Sequence, residues 1–356
     1  MLYDKYEDLI GKRLLHHLTD AHGLLLVPEG TLLSESQVEK MRKFKIDLAD
    51  IHAEPVSPES GKQEAETEPE PEPQAAPADA KELVRKTGAR LQDVEHFVQA
   101  NGTVPVAELE DKVLPVIMEA ARKRNLFQLF ADLKSMGDYR YKQTIGVVVM
   151  SAMLGKWLRL EEQELSLLTT AASLYDIGSV KLPSYLLSKP DRYQPSEFEI
   201  MKEHTVMGHR LLLESGVDPR VASVALQHHE REDGSGYPRG LKGGEIDRLA
   251  KIVALADAYV AMTSDRPYRA AIPFYQVVRE IHGGIIRGRF DSAIGLTFLN
   301  GLMAAQIGSD VILSDGRGGK ILLVNPNYPT EPLIAVEEEF IDLSKTDSLR
   351  IQEIVG

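Results

Sequence analysis

The run QHHEREDGSGYPRGL, from Gln227 to Leu241, sets two adjacent histidines and a glutamate before a loop of Gly234, Gly236 and Pro238. Imidazole nitrogens are metal ligands, and with no cysteine in the chain any metal must be held by His and carboxylate groups. Adjacent side chains on a helix diverge by about 100°. His228 and His229 therefore face one ion only near a helix end, or where two ions share a site; taken alone the pair equally fits two solvated histidines. Three further groups stand on separate segments: Asp176 in SLYDIGSVKLP, His204 in KEHTVMGH and Asp257 in KIVALADAYVAM. Asp257 is the most informative, because a carboxylate inside an apolar helix is costly unless paired or metal-bound. His204 by itself is a weak signal, and a capping or surface residue is the plainer reading. Directly before Asp176, where a His-Asp doublet would suggest a metal site, stands Tyr175. A second adjacent pair, His16-His17, has no carboxylates or histidines clustered around it and reads as structural.

The elements that must position these residues are mostly helical. From Lys81, apolar residues recur at three- and four-residue spacing up to a stop at Asn101-Gly102, and a second helix is predicted from about Val106 to Lys134. A nearly all-apolar helix follows over Tyr141 to Leu158, then helices over Glu161 to Tyr175, Pro195 to Gly216, Pro219 to His229 and Glu245 to Thr263. Helices joined by short loops, without alternating strands, predict an all-helical bundle. After Gly308, DVILSDGRGGKILLVN places apolar runs around Asp315-Gly316 and Gly318-Gly319, the signal of a β-hairpin appendage. Before the bundle, residues 9–52 alternate short apolar runs with turns. A capping box at Ser34–Gln37 opens a short helix there, giving a small α+β module. The predicted organisation is thus a module over 1–52, a linker over 53–80, leading helices over 81–135, a helical domain over 136–307 and a β-rich region over 308–356. The leading helices either pack on the core or pair two subunits as a homodimer.

Composition narrows the partners. The chain has 356 residues and a net charge of −13, but residues 53–80 hold seven Glu and one Asp against one Lys, and so carry −7 of it. That stretch also has six prolines and one large apolar residue, Val56, too little to offset its ordering entropy, and it reads as an extended linker. The mildly acidic remainder argues against nucleic-acid polymers and leaves room for a small anion in a locally basic pocket. The longest apolar run, Ile145 to Leu154, is too short to cross a bilayer. Asp4, Glu7 and Asp8 stand where a secretory signal would carry basic residues, so a cytoplasmic location is expected.

Four runs, YDIGSVKLP, KEHTVMGHRLL, HHEREDGSGYPRGLKGGEI and RLAKIVALADAYVAMTSDRPYR, resemble the HD-GYP branch of the HD-domain metal-dependent phosphohydrolases over about Met136 to Phe298. The resemblance implies an all-helical core, a centre of two or three metals and, in active members, hydrolysis of the bacterial second messenger cyclic di-GMP. Carried over residue by residue, it places Gln143 where the family has its first His ligand and Tyr175 at the His of its His-Asp doublet. Asp176 is the doublet's metal-bridging Asp, and His204, His228, His229 and Asp257 are the remaining ligands. Ser179 occupies the position of a phosphate-contacting Lys, with Lys181 two residues on as a partial substitute. One half-site, Asp176, His204, His228 and His229, is complete; the other keeps only Asp176 and Asp257.

A phenol, with a reference pKa near 10, is a poor ligand at neutral pH, and an amide oxygen suits Ca²⁺ or Mg²⁺ better than Fe or Mn. Three outcomes stand open. Tyr175 and Gln143 hydrogen-bond to each other or to Asp176 in a metal-free core; one divalent ion such as Fe or Mn is retained; or a binuclear pair still works. Gly236, Tyr237 and Pro238 are intact, and Arg266 and Arg269 of DRPYR either grip phosphate oxygens or pair with helix-end carboxylates. Arg239, Lys242 and Lys251 nearby suit an anion pocket. The resulting expectation is a bacterial signalling protein with a partly lost binuclear site, weakly active or inactive, that binds a cyclic dinucleotide or a protein partner. An active cyclic di-GMP phosphodiesterase and a scaffold that keeps only the fold are the alternatives.

Overall fold

The computed structural model describes residues 5–15, 18–19, 25–27, 31, 33, 38, 41–42, 46, 48, 51–55, 77–115, 139–189, 191–265, 270–337, 339–346 and 348–355. The chain forms two compact units, Met1–Ala75 and Ala76–Gly356. In the first, β1 (Lys12–Leu14) pairs antiparallel with β4 (Ala53–Pro55), and β2 (Leu18–Thr19) with β3 (Leu25–Val27). Leu9, Leu14, Leu18, Leu33, Val38, Met41 and Ile51 make its core. Val38, Met41 and Arg42 are helical, as the sequence predicts, while Ser34–Gln37 and His16-His17 lie outside the described residues.

The linker is shorter than its composition suggests. Ala53–Pro55 is a strand, because Ile51 is buried and draws the following residues into register with Lys12–Leu14. At the other end, α1 runs Pro77–Asn101 and starts within the predicted linker, since Pro at a first helical position is tolerated. Residues 56–76 lie outside the described set.

In the second unit α1 buries Leu91, Val94 and Val98 and stops at Gly102, whose φ of +72° is the left-handed turn that glycine accepts cheaply. A helical turn, Val106–Glu108, passes into a π-helical Leu109–Val113; the rest of the second predicted helix, from 116, is outside the described residues. Then come α2 (Tyr139–Trp157), α3 (Glu162–Leu174), α4 (Pro195–Glu214), α5 (Pro219–Gln227), α6 (Arg248–Thr263), α7 (Phe274–Ile286) and α8 (Ser292–Ala304). Helix α2 buries Val147, Val148, Val149 and Met150 in succession, as expected of a helix surrounded by others. Three starts are fixed by Asp N-caps: Asp218, Asp247 and Asp291 accept from the backbone N–H of Arg220, Leu249 and Ile294.

The C-terminal region is larger than a hairpin. Strands β5 (Asp310–Leu313), β6 (Gly318–Asn325), β7 (Tyr328–Val336), β8 (Glu339–Asp342) and β9 (Ile351–Val355) form one antiparallel sheet in the order β8-β7-β6-β5-β9. The predicted turn at Asp315-Gly316 joins β5 to β6. Val311, Leu313, Ile321, Ile334 and Val336 share one core with Phe298, Leu299, Leu302 and Met303 of α8, so the sheet closes the bundle as part of the same unit. Among the described residues no helix is long and apolar enough to cross a membrane.

Candidate metal centre

Asp176 follows α3 and opens the tight turn Ile177–Lys181, which lies against α4 at a glycine-to-glycine contact. A Cβ on Gly178 would fall 2.0 Å from the carbonyl oxygen of His204 and 2.4 Å from the backbone nitrogen of Gly208. Only glycine permits this approach, and the approach brings the Asp176 carboxylate to His204. Helix α5 ends at Gln227, so His228 and His229 occupy the helix terminus, where two consecutive side chains are free to converge.

His204, His228 and His229 converge, each offering a ring nitrogen within 4.8 Å of the others. The hydrogen bonds fix the tautomers of two of them. His228 Nδ1 lies 3.0 Å from the carbonyl oxygen of Ala225 and 3.3 Å from that of Val224. His204 Nδ1 meets the carbonyl oxygen of Met201. A carbonyl only accepts, so each Nδ1 carries a proton and each Nε2 is the ring nitrogen turned towards the cluster. Those two Nε2 atoms stand 3.4 Å apart, and Asp176 Oδ1 lies 3.5 Å from His204 Nε2. Lone pairs and a carboxylate oxygen facing one point repel unless a proton or a metal cation lies among them. Two nitrogens bound at about 2.1 Å to one ion with near-tetrahedral angles are separated by about 3.4 Å. The three imidazoles are thus spaced so that they could hold a metal ion.

Burial keeps two of the imidazoles neutral. Withdrawal from water, then the neighbouring His204, holds His228 well below the usual imidazole pKa, and burial followed by His228 and His204 does the same for His229. Both are neutral at physiological pH.

The second half-site is filled differently. Gln143 Nε2 donates to Asp257 Oδ1 at 2.8 Å and to the Asp257 carbonyl oxygen at 3.1 Å, and the Tyr175 hydroxyl donates to the same Oδ1 at 3.0 Å. Both substitutes are buried, at 7% and 4% exposure. The sequence predicts bonds to each other or to Asp176; these three bonds run to Asp257. The reason is spatial: α2 and α6 pack side by side, so Gln143 lies across from Asp257. Tyr175 also sets its ring edge-on to His228, centroids 5.0 Å apart.

The loop after His229 is held by a residue whose role the sequence does not disclose. Glu230 is buried, and its carboxylate accepts from the backbone N–H of Arg239 at 2.7 Å and of Leu241 at 3.0 Å. A glutamate adjoining two histidines reads as another ligand candidate or a solvated charge; its use as a clamp depends on the loop folding back. Gly236 allows that return, because a Cβ there would lie 2.4 Å from Glu230 Cα. Tyr237 N–H donates to the His229 carbonyl oxygen, and the Tyr237 ring stacks on His229 at 4.6 Å. Burial, then the charges of Asp257 and Asp176, raises the Tyr237 phenol far above its usual range, so it stays protonated. The peptide bond before Pro238 is cis.

Of the remaining expectations, Ser179 is buried in the turn after Asp176. Lys181 lines a groove with Glu203, Met207, Arg210 and Glu214, a face of α4 about a quarter-turn from His204. Lys251 is taken by Glu232 at 2.8 Å and Asp291 at 3.5 Å and does not serve an anion pocket. Arg266 and Arg269 lie outside the described residues.

Residues 114–294, half of the chain, match the family described as HD domain. The chain is 41% identical over 162 residues to a cyclic di-GMP phosphodiesterase of Thermotoga maritima, covering 44% of this chain and 44% of that protein. It is 29% identical over 269 residues to the cyclic di-GMP phosphodiesterase PA4108 of Pseudomonas aeruginosa, covering 72% and 63%. A 3'3'-cGAMP-specific phosphodiesterase of Vibrio cholerae is 32% identical over 202 residues, covering 56% and 46%. The chain thus spans less than two thirds of the length of each of these relatives. Among solved structures, the HDG"Y"P protein Bd1817 of Bdellovibrio bacteriovorus has the same fold, with a TM-score of 0.50 at 16% identity over 82% of this chain and 95% of that one.

Proposed function

Since the chain belongs to the HD-domain family and carries the sequence blocks of its HD-GYP branch, we propose that it is a cytoplasmic cyclic di-GMP signalling protein whose metal centre is reduced to one ion. In this reading Asp176, His204, His228 and His229 hold a divalent ion such as Fe or Mn. The dinucleotide lies against Gly236, Tyr237 and Pro238, and hydrolysis is weak or absent. The observation that carries it is the pair of hydrogen bonds from Gln143 and Tyr175 to Asp257 Oδ1. In a binuclear centre that oxygen would face a cation. Here two neutral donors satisfy it, which supports the loss of the second ion.

A bound ion supplies Lewis-acid polarisation of a phosphoryl oxygen, whereas a pair would also stabilise the opposite oxygen of an in-line displacement. The chain's own residues bind and orient. The neutral imidazoles present lone pairs, the protonated Tyr237 phenol has a proton to donate, and the Glu230 clamp fixes the loop that carries it. Relatives named for cyclic di-GMP and for 3'3'-cGAMP support the cyclic purine dinucleotide as the ligand class.

The test is metal analysis of protein purified without chelators, joined to calorimetry with cyclic di-GMP and a hydrolysis assay with Mn²⁺ or Fe²⁺. One ion per chain and binding with little turnover are expected. Gln143→His combined with Tyr175→His should raise the metal content towards two and turnover by more than the roughly 10–100-fold attached to outer-shell partners. Two tightly held ions and brisk hydrolysis in the unaltered chain would sink the reading.

A further inference from the structure

Phe198 lies on α4 among Glu197, Glu199, Lys202 and Glu203, and is 42% exposed. A single exposed ring needs no explanation. Its neighbours are another matter. The ring meets Tyr237 edge-on, centroids 5.9 Å apart at 81°, and Tyr237 in turn stacks on His229 at 29°. Lys202 Nζ stands 5.5 Å from the Phe198 centroid and 5.8 Å from that of Tyr237, within cation–π reach of both. Its other contact, Glu199 at 2.7 Å, is 70% exposed, a water-screened pair that an incoming phosphate readily displaces. Glu197 is engaged by Lys189. Rings and an ammonium therefore lead in one line from a ligating imidazole to the surface.

We propose that Phe198 and Lys202 form a nucleotide platform at the rim of the histidine cluster: a purine of the cyclic dinucleotide stacks on Phe198, and the Lys202 ammonium meets the adjoining phosphate. This rests on the reading that the chain binds a cyclic dinucleotide. Phe198 stands two rings out from His229, a spacing that suits a base next to a phosphate held near the imidazoles. Residues 198 and 202 are one helical turn apart and share a face, and His204 is on the same helix, so platform and metal ligands are held rigidly together. Exposed aromatic faces beside a cation are what single-stranded nucleotides bind without base-edge readout.

Calorimetric titration of the full chain with cyclic di-GMP decides it, using Phe198→Leu, Phe198→Trp and Lys202→Met, with metal content measured on each. Phe198→Leu keeps apolar bulk but removes the π-face, and should raise Kd about 5- to 140-fold, the equivalent of ~1–3 kcal/mol of base stacking. Phe198→Trp should retain affinity. Lys202→Met should weaken binding and flatten its dependence on salt. Metal content should be unchanged throughout. Parent-like affinity in Phe198→Leu, or equally weak binding by Phe198→Trp, overturns the platform and leaves the proposed function standing. An unaltered chain that does not bind cyclic di-GMP overturns both.

Discussion

Asp257 receives two hydrogen bonds on one oxygen, from the amide of Gln143 and the phenol of Tyr175. Each bond contributes on the order of 1 kcal/mol, and losing one donor around a part-buried carboxylate costs about 1–3 kcal/mol. Tyr175→Phe should therefore lower unfolding stability by about that amount, read from urea denaturation at constant slope. His228 gives a second prediction at this scale. Its folded pKa is depressed, so below the unfolded value near 6.5 the unfolded chain binds a proton that the folded chain refuses. Stability of metal-free protein should be flat above about pH 7. It should then fall as pH drops below about 6.5, by up to about 1.4 kcal/mol per pH unit from this group alone. A stability that rises on acidification would contradict the neutral, lone-pair form of the site.

At the scale of elements, the site is a junction of a turn, a helix terminus and a loop, each set by a close backbone approach. Gly178→Ala drives a methyl group into the backbone of α4, where neither side is a flexible side chain. The turn must move away, carrying Asp176 with it. The expected outcome is a loss of at least about 1–3 kcal/mol of stability together with weakened metal retention, measured by thermal unfolding and metal analysis. Glu230→Gln keeps the side chain's size and leaves one oxygen for two backbone donors, so one of the N–H groups of Arg239 and Leu241 loses its acceptor. Binding of cyclic di-GMP should weaken in this variant while the helical content seen by circular dichroism stays unchanged.

For the molecule as a whole, the C-terminal sheet and the helical bundle share one apolar core within the unit Ala76–Gly356. Strands β6 and β7 cover α8, and the hydroxyl of Tyr275 on α7 donates to the carbonyl oxygen of Thr330 on β7. Deleting residues 308–356 would uncover the side of α8 that packs on β6 and β7, a helix whose Leu299, Leu302 and Met303 are at 0% exposure. Burial of such side chains contributes about 1.5–3 kcal/mol apiece. The truncated chain should lose cooperative thermal unfolding of the helices, whereas removal of an independent appendage would leave that transition in place. Calorimetry distinguishes the two.

Legible in the sequence were the helical class, the helix starts at Pro195 and Pro219, the stop at Gly102, and His204, His228 and His229 as candidate ligands. The first three are local properties, because apolar periodicity and turn chemistry act within a few residues; the candidate ligands came from the resemblance of whole sequence blocks to a family. The helix starts capped by Asp247 and Asp291 were not foreseen. The extent of the C-terminal sheet was not legible, because β9 pairs with β5 across some forty positions and no short window contains both strands. Nor was the fate of Gln143 and Tyr175. Which acceptor an amide or a phenol finds depends on which helices lie side by side, and only the packing of α2 against α6, with Tyr175 at the end of α3, brought both donors to one oxygen of Asp257.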